Sequence, residues 1–238
     1  MSDPLSAAAR TAILPDLVAV PGGTFLMGDD NGRADERPVH PVELPPFRAA
    51  RQPVTNREYA VGLQAIGAAP PPWFTTEGFD DPEQPVVGVS WLEAVAYCEW
   101  LARETGIPFR LPTEAEREFA ARGGLAGTDW PWSGSHHPVA SELATLRRPH
   151  PPQSGCANGY GLRCMAENVH EWCADWYSAT YYSVSPAVSP AGPETGARRA
   201  SRGGAWRHAV KFTRVAARSS LPPGYRYNDY GFRVYADA

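Results

Sequence analysis

Proline and glycine constrain this chain more than any other feature of its sequence. Of 238 residues, 25 are proline and 22 are glycine, and this proline content is about twice the ~5% usual in proteins. Both residue types interrupt helices and strands, so regular elements must be short and their connections long. The chain also holds 8 Trp, 10 Tyr and 8 Phe, large side chains that anchor irregular backbone through burial. The composition therefore predicts a folded, coil-rich domain.

Capping patterns predict three helices in the first half of the chain. Each begins with Ser or Thr followed three residues later by Glu, and each runs into a glycine that favours a helix end. In the first helix we expect Tyr59, Leu63 and Ile66 to share the buried face. The predicted helices start after Thr55, Ser90 and Thr113 and stop at Gly67, Gly106 and Gly123.

Short strand signals flank these helices. Residues 17–28 (LVAVPGGTFLMG) predict two strands about a Gly-Gly turn, and residues 232–235 alternate as in a half-buried strand. No linker, charge run or internal repeat divides the chain, so we predict a single domain over residues 1–238. The predicted fold class is α+β and coil-rich, with few helices and short antiparallel strands.

Charge is distributed unevenly along the chain. The net charge of −4 does not indicate a nucleic-acid-binding protein. Residues 198–238 carry eight arginines, one lysine and two aspartates, a net charge of +7, which leaves −11 on residues 1–197. We interpret this as a basic final segment packed against an acidic body; an anionic partner is the alternative.

The sequence carries no export or membrane signal. No apolar run approaches the ~18 residues of a membrane span, and the amino end lacks the basic and apolar regions of a secretory signal. We therefore expect a cytoplasmic protein, in which four cysteines do not form a disulfide framework. Lys211 is the only lysine among 22 basic residues, which suggests a GC-rich coding sequence and, with the high proline content, weakly suggests a thermophilic source.

Eight short motifs follow one another between residues 20 and 236, about nine-tenths of the chain. They are PGGTFLMG at 21–28, ERPVH at 36–40, PVTN at 53–56, VSW at 89–91, RLPTEAE at 110–116, NVHEW at 168–172, RGGAW at 202–206 and GFR at 231–233. In this order they resemble the formylglycine-generating enzyme (sulfatase-modifying factor) family. The resemblance implies the family's fold, a coil-rich variant of the C-type lectin fold, whereas function depends on the residues of the site.

Enzymes of that family oxidise a substrate cysteine with two active-site cysteines that bind copper near the end of the chain. The matching segment here, residues 206–218 (WRHAVKFTRVAAR), contains no cysteine. We expect the two vacant positions near Val210–Lys211 and at Val215, and neither can replace a thiolate. The sequence therefore predicts a protein that is not an enzyme.

The cysteines that the chain does contain are interpreted as structural. Cys98 and Cys173 are expected to be small buried hydrophobic residues. Cys156 and Cys164 lie in a glycine-rich loop and form either a disulfide or two free thiols, and a cytoplasmic setting favours the thiols.

Histidines and acidic residues are the remaining candidate metal ligands. A sulfoxide-forming branch of the family holds iron with an H-x3-H-x-E pattern on an additional helical domain, which this chain lacks. Family members often bind a structural calcium near the turn at 167–172, which makes Asn168 and Glu171 calcium candidates; alternatively, these side chains satisfy buried backbone groups. We otherwise predict no cofactor and assign surface or structural roles to the six histidines. These are His40, His136, His137, His150, His170 and His208.

The end of the chain also resembles the variable proteins of diversity-generating retroelements. Those proteins use this fold variant, start their variable region near R-G-G-x-W and close with G-F-R, as residues 202–206 and 231–233 do. The predicted variable region is 206–230, and its tyrosines interleaved with polar residues are typical of binding surfaces. We expect one exposed face, above a buried Trp206 and Phe232, to carry His208, Val210, Lys211, Phe212, Tyr225, Tyr227, Asn228, Asp229 and Tyr230. The candidates are Arg207, His208, Val210, Lys211, Phe212, Thr213, Tyr225, Arg226, Tyr227, Asn228, Asp229 and Tyr230.

These observations give one functional hypothesis and two alternatives. The hypothesis is a non-catalytic display protein, expected to be a monomer, that binds an unidentified protein or other macromolecule through a diversified surface. The first alternative is a non-catalytic family member with an invariant surface. The second is a metal-dependent, formylglycine-generating-like oxidoreductase, which requires several ligating side chains to converge.

Overall fold

A computed structural model describes residues 14–133 and 147–238. Within these ranges the chain forms three helices, α1 (Asn56–Ile66), α2 (Trp91–Thr105) and α3 (Glu114–Arg122). Nine short strands and long connections make up most of the rest, so the predicted coil-rich α+β class is confirmed. The strands are β1 (Leu17–Val20), β2 (Gly23–Met27), β3 (His40–Leu44), β4 (Phe47–Ala50), β5 (His170–Trp176), β6 (Arg199–Arg202), β7 (Arg218–Leu221), β8 (Tyr230–Gly231) and β9 (Tyr235–Asp237).

The strands form three small sheets. Strand β4 pairs with β1 and β9, β2 pairs with β3, and the third sheet has the order β7-β6-β5-β8. All these pairs are antiparallel, as predicted, except β5 with β8, which run parallel with His170 opposite Tyr230. This parallel pairing places the last part of the chain beside the first residue of β5.

The three predicted helices begin and end as their capping patterns indicate. Each N-cap hydroxyl accepts a hydrogen bond from the backbone N–H of the glutamate three residues on. The side chain of that glutamate in turn accepts a hydrogen bond from the backbone N–H of the N-cap residue. The glycines that end the helices have positive φ angles of 65°, 76° and 60°. Tyr59 and Leu63 are buried as expected, but Ile66 is 41% exposed. It is the last residue of α1, where the helix leaves the core.

The two strands predicted about the Gly-Gly turn are present, but they lie in different sheets. Gly22 has a φ of +68°, and a Cβ there would lie 2.5 Å from the carbonyl carbon of Pro45. Only glycine fits this close approach of two backbones. The turn therefore directs the chain from one sheet into the next instead of closing a hairpin.

The prediction of a half-buried strand over residues 232–235 is wrong. Phe232, Arg233, Val234 and Tyr235 are all fully buried, and the first three lie between β8 and β9. The charge of Arg233 can be buried because it is paired: Nη2 lies 2.9 Å from Oε1 of Glu171. The polar position in the alternation thus reflects a buried ion pair and not a solvent-facing side of a strand.

Arginines of the final segment pair with carboxylates of the preceding part of the chain. Arg202 and Arg218 both contact Oε1 of Glu114, with Nε at 2.9 Å and 2.7 Å. Arg214 Nη1 lies 2.9 Å from Oε2 of Glu36. Both carboxylates are buried, and buried charges persist only when paired. The predicted packing of a basic final segment against an acidic body is confirmed.

The hydrophobic core consists of two clusters of buried side chains. One cluster joins α1 and α2 to Trp172, Tyr230 and Phe232, and a second joins β1–β4 to α3. Among the described helices, none is long and apolar enough to cross a membrane. Two aromatic side chains near the end of the chain, Tyr230 and Phe232, are thus packed into the core.

Candidate functional site

The candidate site consists of two loops near the end of the chain. We call residues 206–213 the first terminal loop and residues 225–230 the second terminal loop. The Trp206 indole Nε1 donates a 3.2 Å hydrogen bond to the Asn228 carbonyl oxygen. The Arg207 Nε donates a 2.7 Å bond to Oδ2 of Asp229. The predicted meeting of these two segments in space is confirmed.

A glycine turn sets the position of the first terminal loop. Gly204 has a φ of +68°, and a Cβ there would lie 2.5 Å from Cγ2 of Thr213, so the loop closes directly over a bare glycine. The Trp206 N–H then donates a 2.8 Å hydrogen bond to the Asn168 carbonyl oxygen, just before β5. These contacts fix both ends of the loop against the third sheet.

Large side chains project from both terminal loops into solvent. Phe212 and Tyr225 are each 53% exposed and Tyr227 is 39% exposed. The ring centroids of Tyr225 and Tyr227 lie 6.4 Å apart. The cationic residues Arg207, Lys211 and Arg226 are exposed, and His208 and Asn228 are half-buried. Val210 begins a short 3-10 turn, Val210–Phe212; its side chain lies outside the described part of the chain.

Three of the twelve candidate residues are buried, and for Asp229 and Tyr230 this contradicts the predicted exposure. Thr213, Asp229 and Tyr230 are 3%, 1% and 5% exposed. Thr213 covers Gly204, Asp229 lies beneath Arg207, and Tyr230 packs on Trp172 with ring centroids 5.0 Å apart. Phe232 is buried as expected, but Trp206 is only partly buried, because it lies in the loop itself.

Carboxylates hold two of the exposed arginines in place. Arg226 contacts Glu93 on α2 through two hydrogen bonds of 2.9 Å, a bidentate geometry that fixes the guanidinium plane. Burial raises the pKa of Glu93, but hydrogen bonds from Arg226 and Ser90 outweigh it, and the net pKa is lowered. Asp229 holds Arg207 in the same manner through one bond. Both arginines are therefore oriented before any ligand binds.

A cluster of two histidines and one aspartate lies where the two terminal loops meet the start of β5. His170 is the first residue of β5, and its N–H donates a 2.8 Å bond to the Asp229 carbonyl oxygen. The His170 and His208 rings meet edge to face, with centroids 4.9 Å apart. His208 Nε2 lies 3.9 Å from Oδ2 of Asp229. One ligand atom from each residue lies within 4.8 Å of the other two.

Burial controls the charges of this cluster. It lowers the pKa of His170 to about 3, with a further lowering from His208 and Arg207. Burial also lowers the pKa of His208, although Asp229 opposes the shift. The pKa of Asp229 is raised by burial against the opposing charge of Arg207. At neutral pH the His170 imidazole is therefore neutral, so one ring nitrogen carries a hydrogen and the other has a lone pair.

His170 was absent from the predicted binding residues, although His208 and Asp229 were among them. Its sequence signal was its position in NVHEW, where the family pattern has tryptophan. His40 and His150 each place Nδ1 near a backbone carbonyl oxygen, at 3.0 Å and 3.1 Å. His136 and His137 lie outside the described residues.

The cysteines do not fit a copper site of the family type. All four are free thiols, and Cys98, Cys164 and Cys173 are buried. Burial raises the pKa of each of the four thiols, so they stay protonated, whereas copper binding requires thiolates. Val215, which stands near one expected cysteine position, is a core residue that is 4% exposed.

The two calcium candidates have other partners in this structure. The side-chain amide of Asn168 bonds both the N–H and the carbonyl oxygen of His150, at 3.1 Å and 2.8 Å. Both Glu171 oxygens accept hydrogen bonds from arginines, Oε2 from Arg117 at 2.8 Å and Oε1 from Arg233 at 2.9 Å. Two guanidinium groups around one carboxylate do not fit a calcium site, and the geometry favours the structural interpretation.

These features define a coil-rich α+β protein whose two terminal loops lie next to a core that contains several buried ion pairs. The chain belongs to the sulfatase-modifying factor family, because residues 3–238 match the sulfatase-modifying factor enzyme 1-like domain. A formylglycine-generating enzyme of Streptomyces coelicolor is 37% identical, over 97% of this chain and 92% of that protein. The family's fold, a variant of the C-type lectin fold, is therefore confirmed.

Two solved structures agree with this fold assignment. PvdO from Pseudomonas aeruginosa aligns with a TM-score of 0.86 and 29% identity over the whole of both chains. Treponema denticola variable protein 1 aligns with a TM-score of 0.80 and 24% identity, over 93% of this chain and 95% of that one. Relatives of this chain are thus named as enzymes, and structures of the same fold include a protein named for its variability.

Proposed function

We propose that this chain is a non-catalytic, ligand-binding member of the sulfatase-modifying factor family, with its ligand surface on the two terminal loops. One observation carries the proposal. The loops expose Phe212, Tyr225 and Tyr227 together with three cations, while the framework beneath them is fully buried. Where family enzymes have a thiol pair, residues 206–218 have no cysteine.

The chemistry of the loops is suited to binding a protein. Exposed aromatic rings supply a large contact area at a small cost in side-chain entropy. Arg207 and Arg226 are already oriented by Asp229 and Glu93, and such preorganisation favours affinity because less freedom is lost on binding. The net positive charge of the loops favours partners with acidic surfaces.

We further propose that this surface is diversified, as in the variable proteins of diversity-generating retroelements. The exposure pattern supports it: the exposed loop residues can change without disturbing the core, whereas Thr213, Asp229 and Tyr230 cannot. The likeness to the Treponema variable protein supports the fold only. A reverse-transcriptase gene nearby, with a near-identical repeat of the codons for the terminal loops, is expected. If the gene neighbourhood contains neither, the alternative of a non-catalytic family member with an invariant surface is favoured.

Peptide selection tests the ligand surface. Immobilised full-length chain is panned against a random peptide library, and enriched peptides are measured on a variant with Phe212, Tyr225 and Tyr227 replaced by serine. Loss of central aromatic contacts costs at least ~2 kcal/mol, so we expect affinity to fall more than ~30-fold. A matched control replaces Leu26, Val184 and Val188, which are 62%, 75% and 63% exposed elsewhere. Equal losses in both variants, or none in either, would contradict the proposal.

The second candidate function is the metal-dependent oxidoreductase. The convergence of His170, His208 and Asp229 below the terminal loops favours it, because a bound ion there would reach any ligand held by the loops. Its first requirement is that the cluster binds a metal ion.

A further inference from the structure

Three side chains from distant parts of the sequence meet at the His170–His208–Asp229 cluster. His170 starts β5, His208 lies in the first terminal loop and Asp229 in the second. Backbone hydrogen bonds hold all three segments, from the His170 N–H to the Asp229 carbonyl and from the Trp206 N–H to the Asn168 carbonyl, each 2.8 Å long. The cluster is therefore placed by the fold and not by flexible side chains alone.

Each of the three side chains has a buried polar atom without a hydrogen-bond partner among the described residues. These atoms are Nδ1 of His170, Nδ1 of His208 and Oδ1 of Asp229. His170 is 6% exposed and Asp229 is 1% exposed. A buried polar group without a partner is costly, and the fact that all three residues of this cluster carry one favours a polar occupant there.

The side chains of the cluster supply the donor atoms that a cation needs. Imidazole nitrogens and carboxylate oxygens bind metal ions, and each of the three residues offers one such atom. Arg207 binds Oδ2 of Asp229 and leaves Oδ1 without a partner. The neighbouring Tyr230 ring is buried and packs against the His170 ring, with centroids 4.7 Å apart.

We propose that His170, His208 and Asp229 form a binding site for a divalent first-row transition-metal ion such as Zn²⁺ or Fe²⁺. Two imidazoles and one carboxylate are the ligand types these ions prefer, whereas Ca²⁺ requires oxygen ligands. In a tetrahedral site with ligands at 2.0–2.1 Å, ligand atoms lie about 3.3 Å apart. The ligand atoms lie within 4.8 Å of one another in this structure, so binding would require the half-buried His208 side chain to move closer to the other two.

Three protein ligands leave a coordination position for another donor. The His208 side chain is 30% exposed, so this position opens on the side of the terminal loops. A ligand held by the loops can therefore supply a carboxylate, carbonyl or water oxygen to the ion. The inference rests on the cluster's geometry and does not depend on the ligand-binding role proposed above.

Metal titration of the full-length chain tests the site. After treatment with a chelator, the protein is titrated with ZnCl₂ by calorimetry and with CoCl₂ by visible absorption. We expect one equivalent to bind and to raise the melting temperature. His208→Ala is the main variant because His208 is only half-buried and its loss does not open the core. Removing even an outer-shell partner of a metal ligand weakens binding ~10–100-fold, so losing His208 is expected to weaken it at least tenfold.

Two further variants make the test specific. His40→Ala removes a histidine outside the cluster and should leave the affinity unchanged. Arg207→Ala removes a positive charge from Asp229 and should strengthen metal binding, which a purely structural role would not produce. Failure of the wild-type chain to bind, equal binding by His208→Ala, or equal losses in His208→Ala and His40→Ala would overturn the site. Weaker binding by Arg207→Ala would contradict the assignment of Asp229 as a ligand. None of these results affects the peptide-selection test.

Discussion

The three tyrosines of the second terminal loop divide between core and surface, and we expect their replacement to have unequal costs. Tyr230 is 5% exposed, its ring packs on Trp172 at 5.0 Å, and its hydroxyl lies 2.9 Å from Oγ of Ser219. Tyr225 and Tyr227 lie outside the core cluster and are 53% and 39% exposed, although the Tyr227 ring touches its edge, with its centroid 6.3 Å from that of Tyr230. A variable surface tolerates change only at positions of the second kind.

The size of the effect follows from this burial. Truncating a buried aromatic side chain costs ~3–5 kcal/mol, and in a domain of this size each kcal/mol lowers the melting temperature by about 2–4 °C. Tyr230→Ser should therefore lower it by roughly 6–20 °C. The double variant Tyr225→Ser/Tyr227→Ser should cost no more than ~1 kcal/mol in total, since surface changes stay within ~0.5 kcal/mol each.

Thermal and urea unfolding followed by tryptophan fluorescence measure both effects. Tyr230→Phe is the matched control: it keeps the ring and loses only the hydroxyl, so we expect a cost of ~1 kcal/mol. If the double variant were destabilised as strongly as Tyr230→Ser, both exposed tyrosines would belong to the core. The reasoning that separates loop surface from framework would then be refuted.

Three other predictions concern the buried ionisable groups. Glu171→Gln should destabilise the chain by about 3–5 kcal/mol in urea unfolding, because it leaves two buried guanidinium groups without a full charge partner; an equally stable variant would contradict this. Burial and the nearby Glu114 carboxylate raise the pKa of Asp175 to about 8, so the folded state binds a proton that the unfolded state has lost. Between about pH 5 and 8 the stability of the wild type should therefore fall relative to Asp175→Asn by about 1.4 kcal/mol per pH unit, and a constant difference would refute the shift. A thiol reagent should modify only the partly exposed Cys156 rapidly in the native chain, and all four cysteines after unfolding; rapid native labelling of more than one would contradict their burial.

Local patterns were sufficient to predict the helices. A capping box and a terminal glycine act within one turn of chain, so Ser90 and Gly106 delimit α2 wherever that helix packs. The family motifs predicted the fold because residues that match a family's motifs make the same packing and hydrogen-bonding contacts as in other members of the family. The basic final segment was likewise readable, since a large local excess of charge in a folded chain needs partners.

Long-range pairing explains what the sequence did not reveal. Arg233 looks like the exposed position of an alternating strand until its partner Glu171, 62 residues earlier, is known. Tyr230 and Asp229 lie in a loop-like stretch, and only the parallel pairing of β8 with β5 shows that they are buried beside His170. No local periodicity carries that information. The proximity of His170 to His208 and Asp229 could not be predicted for the same reason.

The central claim is that this family member binds a ligand but does not oxidise a substrate cysteine. An assay for formylglycine formation by the purified chain tests this claim most directly. The chain and the Streptomyces coelicolor relative are incubated separately with oxygen, Cu(I) or Fe(II), and a peptide containing C-x-P-x-R. Mass spectrometry then follows the peptide cysteine. The account predicts an unchanged cysteine with this chain under both metals. Catalytic turnover with either metal would contradict it and identify the chain as an oxidase that works without a thiol pair.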